Sequence, residues 1–397
     1  YPRFNPDPAR IIEYSENIDV LPPIKVNQHN ILIDGYHRWK AHETAKKTEI
    51  PCEVVQTESE QELLMMAVSL NATHGLQLSP KEKRTYAIKW WNVLPIEDIL
   101  KSLSISQSTF DTYTKDKRKQ YEKELNERVR ELYMQCWTEQ AIADEVEIDQ
   151  SVVNRKIVDI MQSAEIGDLH NFDKNAPLDL KVYKLWQFQS ATNTVKHFGN
   201  IPPEIIDNLL YYFTKPFDVI FDPFGGCGST IDVCKKRNRR YYVSDLNPIP
   251  ARVDIRKHDI TDGLPNDLPV PDFVFLDPPY WKQAEGKYSD DDTDLANIDL
   301  DEFLRQIRGI AKSVKRKWRE RKSGYLAIII GEYKDNGKII DLPMLCYDEI
   351  KQFLPLVCRY QVPYSTQVHG GAFVKMAKDK KECLYINRDL MVFGYGV

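Results

Sequence analysis

Paired cysteines are the first thing missing. The chain holds seven cysteines among 397 residues, yet no two form a Cys-x-x-Cys pair. That scatter argues against a structural zinc and for reduced thiols in a cytoplasm. No apolar run approaches the roughly 20 residues of a membrane span, and the first residues lack a charged-then-apolar signal pattern. A strong basic excess is absent too: the net charge is −5. Nucleic acid, if it binds, must be met by local patches. The chain begins at Tyr1 rather than a methionine, which raises the expectation of a trimmed native segment. What remains is globular in composition, 42% hydrophobic and 28% charged, and long enough for two or three domains.

The stretch Asp272-Phe-Val-Phe-Leu-Asp-Pro-Pro-Tyr-Trp281 organises the rest. Phe273 to Leu276 is a short apolar run that reads as a buried strand. An acid, two prolines and two aromatics follow at its carboxyl end, where ligands bind in open α/β sheets. The prolines end the strand and leave the carbonyls of Asp277 and Pro278 available as acceptors. A carboxylate, carbonyls and a flat ring suit a planar heterocycle bearing an NH₂ group. The plain alternative is a strand ending in a turn with a surface acid.

The upstream sequence shifts that balance. Val219-Ile-Phe-Asp-Pro-Phe-Gly-Gly-Cys-Gly-Ser-Thr230 reads as strand, glycine turn and helix start. Glycines let backbone approach a ligand, and a helix amino terminus favours negative charge. Arg240-Tyr-Tyr-Val-Ser-Asp245 is a second strand ending in an acid about 20 residues on, the place of a ribose-binding carboxylate. A third unit ends at Asp259. Acids and glycines thus fall at successive strand ends.

From about residue 180 onward the chain resembles S-adenosylmethionine-dependent amino-methyltransferases acting on DNA bases. Asp222 to Thr230 resembles their cofactor motif, DPFxGSGTT, and Asp277-Pro-Pro-Tyr280 their catalytic motif. His197-Phe-Gly-Asn-Ile-Pro202 resembles the preceding segment, often HPTQKP, without its lysine. The resemblance implies a Rossmann-like α/β domain with a mostly parallel seven-stranded sheet. It implies cofactor binding by Asp222, Phe224, Gly226, Gly228, Asp245, Asp259 and His197. Asp277, Pro278, Pro279 and Tyr280 would be catalytic, with no metal. Asp277 and the Pro278 carbonyl would accept the amine protons while Tyr280, or secondarily Trp281 or Phe224, stacks on a flipped base. Adenine N6 is preferred over cytosine N4, since Asp-Pro-Pro-Tyr is commoner in the adenine enzymes. No long target-recognition insertion is present.

Two further segments precede this one. In residues 1–75, strands near Leu21–Val26, Ile31–Ile33 and Ile50–Val55 flank a helix opening at Asp34-Gly-Tyr-His-Arg-Trp-Lys-Ala41. This resembles a small α+β ParB/sulfiredoxin-like domain whose turn cradles nucleotide phosphates. Gly35, His37 and Arg38 are the candidates, and CTP, ATP or nothing stays open as ligand. Residues 76–165 read as an all-α domain with a doubled pattern: Ile99, Leu103, Ile105, Gln107 and Ser108 recur 43 residues later as Ile142, Val146, Ile148, Gln150 and Ser151. Both copies resemble helix-turn-helix units, with recognition helices expected at Gln107–Tyr113 and Gln150–Ile157. Gln107, Ser108, Gln150, Ser151, Asn154 and Arg155 could meet DNA.

Residues 166–179 read as a linker, and 180–397 as the methyltransferase domain. Lys282 to Asp299 reads as an acidic loop over the cleft, Leu300 to Arg321 as an amphipathic helix with a basic end, and Gly324 to Ile330 as the fifth strand. Later strands are expected near Leu356–Val362 and Glu382–Asn387, with a basic loop between them at Gln367–Lys378. The whole implies a sequence-specific methyltransferase of double-stranded DNA, cytoplasmic and nucleoid-associated, from a prokaryote, phage or mobile element and of the restriction-modification kind. A homodimer and a restriction partner stay open. The competing readings are a DNA-binding partition or regulatory protein with a vestigial catalytic domain, and RNA as the substrate.

Overall fold

Ile24, Val26 and Ile33 turn inward from two short strands, β1 (Ile24–Asn27) and β2 (Leu32–Asp34), and begin the first core. The computed structural model describes residues 6–73, 77–174, 180–188, 201–284, 294–321, 323–335, 338–364, 371–381 and 387–397. It divides into two units, 1–125 and 126–397. In the first, β1 pairs antiparallel with β2 and parallel with β3 (Cys52–Val55). Helices α1 (Pro8–Glu16) and α2 (Tyr36–Thr44) accompany this sheet. Then α3 (Glu60–Thr73), α4 (Pro80–Trp90), α5 (Ile96–Leu103) and the start of α6 (Gln107–Met134) enclose Val68, Trp90, Ile99, Leu103 and Phe110. Ser79 and Glu82 cap α4 reciprocally, as the sequence Ser-Pro-Lys-Glu predicts.

The doubled pattern is real in three dimensions. α7 (Glu139–Val146) and α8 (Gln150–Lys174) begin 43 residues after α5 and α6. Ser104 and Glu147, also 43 apart, both take left-handed backbone at the turn, with φ of +48° and +54°. Phe110 and Val153 fill equivalent buried places.

The expected segment limits differ from these units. α6 is one helix of 28 residues, so the unit boundary falls inside it rather than at 75/76 or 165/166. The first copy packs with the ParB-like segment and the second with the sheet domain. The expected recognition helices are only the first turns of long ones. α8 also continues through residues 166–174, read beforehand as linker. One interior glycine, Gly167, costs a helix only about 1 kcal/mol and does not end it.

Unit 126–397 is built on a seven-stranded sheet. Its strands are β4 (Val219–Asp222), β5 (Arg240–Asp245), β6 (Arg256–Lys257), β7 (Phe273–Leu276), β8 (Gly324–Gly331), β11 (Leu356–Pro363) and β12 (Asn387–Tyr395). Their spatial order is β11-β12-β8-β7-β4-β5-β6, and β12 alone runs antiparallel to its neighbours. The run Phe273–Leu276 is wholly buried, as apolar strands of a doubly covered sheet should be. α9 (Pro203–Phe213) and α10 (Ser229–Lys236) cover one face. α11 (Leu300–Trp318) and α12 (Leu342–Ile350) cover the other. A small hairpin, β9 (Tyr333–Asp335) and β10 (Lys338–Ile340), follows β8.

The last strand spans Asn387–Tyr395 with residues 388–394 buried, and residues 382–386 of the strand expected at Glu382–Asn387 lie outside the described residues. The expected basic loop contains a helix, α13 (Gly371–Lys380), since Ala-Phe-Val-Lys-Met-Ala-Lys holds no breaker. The basic end of α11 lies at the amino ends of the strands: Trp318 Nε1 donates to the Pro271 carbonyl and Arg321 pairs with Asp272, both just before β7. Among the described residues no helix is long and apolar enough to cross a membrane.

Trp318 is fully buried, and a Cβ on Gly324 would come within 2.4 Å of its ring. Truncating such a side chain removes contacts that the backbone cannot collapse to replace. Trp318→Ala should lower stability by about 3–5 kcal/mol in urea melts. A loss below about 1 kcal/mol would mean the ring is not what anchors α11.

Candidate active site

The strand order reverses between β4 and β7, and a cleft opens there at the carboxyl ends, where the topology predicts a ligand. It holds about 980 Å³ including its open mouth. Its floor is the turn after β4. Asp222, 2% exposed, accepts from the Phe224 amide at 2.9 Å and from the Thr230 hydroxyl, and so ties the turn's entry to the first turn of α10. The Gly225 amide donates to the Ser244 carbonyl at 2.8 Å, drawing the turn against β5. A Cβ on Gly225 would meet Val243 at 2.8 Å. Gly228 has φ +85°, backbone that glycine adopts without strain.

Asp245 stands across the turn. Its Oδ2 accepts from the Gly226 amide and its Oδ1 from the Asn247 amide, each at 2.9 Å. Asp259 accepts from the amide and hydroxyl of Thr261, at 2.9 and 2.7 Å, through Oδ1. A carboxylate offers about four lone-pair positions, so both acids keep acceptor capacity for a ligand. His258, Ile260 and Ile206 complete that wall.

Asp277 and Pro279 form the opposite wall, so the Asp-Pro-Pro-Tyr corner and the glycine turn share one cleft. The Pro279 carbonyl accepts from Trp281 at 2.7 Å, and Trp281 takes φ +42°. Pro278 is buried and Tyr280 is partly exposed beside Asp277. Trp281, a secondary stacking candidate, is not available for that task. It is buried, its Nε1 donates to the Ile298 carbonyl at 2.9 Å, and its ring packs edge-on against Tyr333. Phe224 does line the cleft. His197 lies outside the described residues.

Several residues escaped sequence reasoning. Asp294 and Leu295, from the stretch read as an open acidic loop, are buried and line the cleft; residues 285–293 of that stretch lie outside the described residues. Arg252 grips the glycine turn from outside, donating to the Cys227 carbonyl while pairing with Asp232 and Asp254. Arg388 of β12 reaches the back of the Asp277 corner. None of these sits in a motif; only folding brings them near.

Asp222, Asp245, Asp259, Asp277 and Asp294 therefore converge on one cavity. Burial pushes the Asp222 carboxyl up to about 7 against the pull of Thr230 and Phe224, with Asp245 adding to the rise. Burial likewise pushes Asp277 up to about 7; Arg388 opposes the shift and Asp222 reinforces it. Such a site favours a cationic ligand, which lowers the cost of ionising both acids.

Elsewhere, the turn in the first unit has Gly35 at φ +101°. Arg38 there donates to the Pro22 and Pro23 carbonyls and pairs with Asp34 at 2.6 Å, while His37 Nε2 accepts from the Asp7 amide at 2.9 Å. Arg38 and His37 are thus engaged within the fold. Gln107 and Ser108 are exposed on α6, and Gln150, Ser151, Asn154 and Arg155 on α8. Asn154 also donates to Glu139 at 3.2 Å.

The sheet order, with its single antiparallel strand, and the cleft define a methyltransferase-like fold carrying a small N-terminal domain. Residues 75–250 match the model of a DNA methylase family, and residues 7–71 match that of the ParB N-terminal domain. The type II methyltransferase M.XycI of Xanthomonas campestris pv. cyanopsidis is 36% identical over 64 residues, 16% of this chain and 21% of that protein. The type II methyltransferase M.BglII of Bacillus subtilis is 26% identical over 129 residues, 31% of this chain and 33% of that protein. The M protein of the type I restriction enzyme EcoKI aligns over 50% of this chain and 48% of its own, at 14% identity and a TM-score of 0.27. The chain thus carries a segment similar to ParB N-terminal domains followed by one similar to DNA methylases, and its matches span a fifth to a third of these curated relatives.

Asp222 gives the site a pH signature. Its carboxyl titrates near 3.8 when unperturbed and near 7 in the fold. Between those values the native state holds a proton that the unfolded chain lacks. Its contribution to stability is full below about pH 4 and is lost as pH rises through 7. Asp222→Asn cannot titrate, so its stability relative to wild type should improve from pH 5 to pH 8, by about 1–4 kcal/mol in urea melts. Parallel pH profiles for the two proteins would refute a raised pKa.

Proposed function

We propose that this protein methylates an exocyclic amine of a base in double-stranded DNA, with S-adenosylmethionine as donor and adenine N6 as the preferred target. The reading rests above all on the shared cleft of the glycine turn and the Asp277 corner. The residues present fit that cofactor. A sulfonium and an ammonium suit a cavity walled by five carboxylates, Asp245 retains acceptor sites for ribose hydroxyls, and Asp259 retains one for an adenine amine. Gly225 and Gly226 keep the floor bare beneath the methionine part, and Phe224 lines it.

When bound, S-adenosylmethionine supplies an electrophilic methyl group held by a good leaving group. The chain's own task is to ready the amine. Its lone pair is delocalised into the base, and hydrogen-bond acceptors on its protons favour pyramidal nitrogen. Asp277 accepts one N–H and the Pro278 carbonyl the other, while the Tyr280 ring supports the base. Once that methyl group had passed to the nitrogen, Asp277 would take up the amine proton that has to leave. A carboxyl with a pKa of about 7 can take and return that proton near neutrality. A paired base cannot reach this depth, so the target must be flipped out of the duplex.

DNA incubated with labelled S-adenosylmethionine and digested to nucleosides should yield N6-methyladenine. Asp277→Ala should lower the rate by at least about 1,000-fold while leaving thermal stabilisation by the cofactor intact. N4-methylcytosine as product would move the assignment to cytosine. Cofactor binding without transfer to DNA would favour a regulator with a vestigial site, and labelled RNA in place of DNA would change the substrate class.

In this reading the target sequence is selected by the helix-turn-helix units, acting on nucleoid DNA in a prokaryotic cytoplasm. Deleting residues 1–165 would test this poorly, because Tyr133, Met134 and Cys136 belong to the cores beneath the sheet. Surface substitutions are cleaner. Asn154→Ala with Arg155→Ala should weaken site preference by about 10-fold or more when methylated positions are mapped, with the rate on a saturating short duplex little changed. An unaltered map would remove α8 from recognition.

A further inference from the structure

The final strand carries a buried cation to which the roles above give nothing to do. Arg388 is 4% exposed. It pairs in register with Gly331 of β8, and its guanidinium lies 4.6 Å from the centre of the Tyr364 ring. A Cβ on Gly331 would stand 2.9 Å from the Tyr364 hydroxyl and 3.6 Å from Arg388 Cγ. The bare glycine therefore makes the room that this pair fills. Placed at the carboxyl end of the sheet, Arg388 is near enough to the Tyr280 hydroxyl and the Asp277 carboxylate to act on the charge of both. Among the described residues its Nε has no hydrogen-bond partner.

Burying a guanidinium with one donor unsatisfied is expensive, by several kcal/mol in general, and a methionine would fill the same space without that cost. The compensation comes from the charge the cation faces. We propose that Arg388 is a positioning residue for methyl transfer, holding the Tyr280 hydroxyl in place and keeping the Asp277 carboxylate charged to receive the amine proton. This rests on the reading of the cleft as a methyltransferase site.

The electrostatics of the corner agree with the geometry. Asp277 is faced by Asp222 from β4, by Tyr280 from its own corner and by Arg388 from β12, with Tyr364 behind the arginine; Asp294 lines the same cleft. Arg388 is the cation among them. An opposite charge within about 4–6 Å lowers a carboxyl pKa by roughly 1–3 units, and a like charge raises it. Without Arg388, burial and Asp222 would act on Asp277 with Tyr280 alone to oppose them.

The test uses the full chain, duplex DNA and labelled S-adenosylmethionine, with kcat and KM measured from pH 5.5 to 9.5. In Arg388→Met the acidic limb of kcat/KM should move up by about one pH unit or more, and the rate at pH 7 should fall about 100-fold. Arg388→Lys keeps the charge and loses the planar fork, so its limb should stay in place while kcat falls about 10-fold and KM is unchanged. A methionine variant whose limb coincides with wild type overturns the proposal. Should that variant fail to fold, a lysine variant with wild-type kcat overturns it equally, and one with lowered kcat, unchanged KM and an unmoved limb upholds it. A double-mutant cycle in urea at pH 8 separates this idea from the parent reading. Asp277→Asn should be less favourable to stability in the wild type than in the methionine variant even if no methyl transfer is ever detected, whereas equal effects in the two would sink the pairing itself.

Discussion

Parallel pairing of β4 with β7 is the constraint on which the site depends. Ile220 stands beside Phe273 and Phe221 beside Val274, so the two strands end side by side. The glycine turn leaves one end and the Asp-Pro-Pro-Tyr corner leaves the other. Both strands are wholly buried, and a slip of one residue would reverse which side chains face which layer of helices. The register is therefore fixed by the cores on either side of the sheet, and with it the separation of Asp222 and Asp277. That closeness has an electrostatic consequence. Asp222, buried at the neighbouring strand end, opposes the ionisation of the partly exposed Asp277, and the site is most comfortable when something positive lies between or behind them.

The second copy of the doubled helical pattern is tied to the same sheet. Arg240, at the amino end of β5, lies 4.1 Å from the Tyr133 ring centre and donates to the Tyr133 carbonyl at 3.1 Å. Arg256 donates to the Gln135 carbonyl at 2.9 Å, and Arg130 to Asn238. Ile160 and Met161 of α8 pack against the core under α9. The contacts come from two places, the end of α6 and the middle of α8, so the helices are held at more than a single link. The exposed face of α8 thus travels with the cleft as one body, whereas the first copy is housed in the preceding unit.

Much of this was legible because the signals were local. Apolar runs closed by acids or glycines predicted β4, β5 and β7, and the doubled pattern predicted helix starts at 107 and 150. Asp222, Phe224, Gly226, Asp245, Asp259, Asp277 and Pro279 all line the cleft. What escaped was long-range. Nothing in the sequence distinguishes Arg388 from other arginines until β12 pairs with β8 and sets it opposite Gly331. Asp294 reads as one more acid in a polar run, because burial of Leu295 and Ala296 beside it depends on partners elsewhere in the chain. The division inside α6 was equally hidden, since a helix interior carries no mark of which end packs on which core.

The distribution of charge places a further demand on any DNA-bound state. A cavity lined by five acids repels phosphate, so backbone neutralisation has to come from outside it. The conspicuous basic run, Lys312 to Lys322, is poorly situated for this, because Trp318 and Arg321 anchor it at the amino ends of the strands, away from the cleft. β11 runs parallel to β8, as both are antiparallel to β12. It must therefore end, and β12 must begin, on the carboxyl side where the cleft opens. The connection between them holds α13, on which Lys375, Lys378 and Lys380 are exposed, with Lys381 just beyond. Topology, rather than the density of basic residues along the chain, decides which lysines lie in a connection that starts and ends on the cleft side of the sheet.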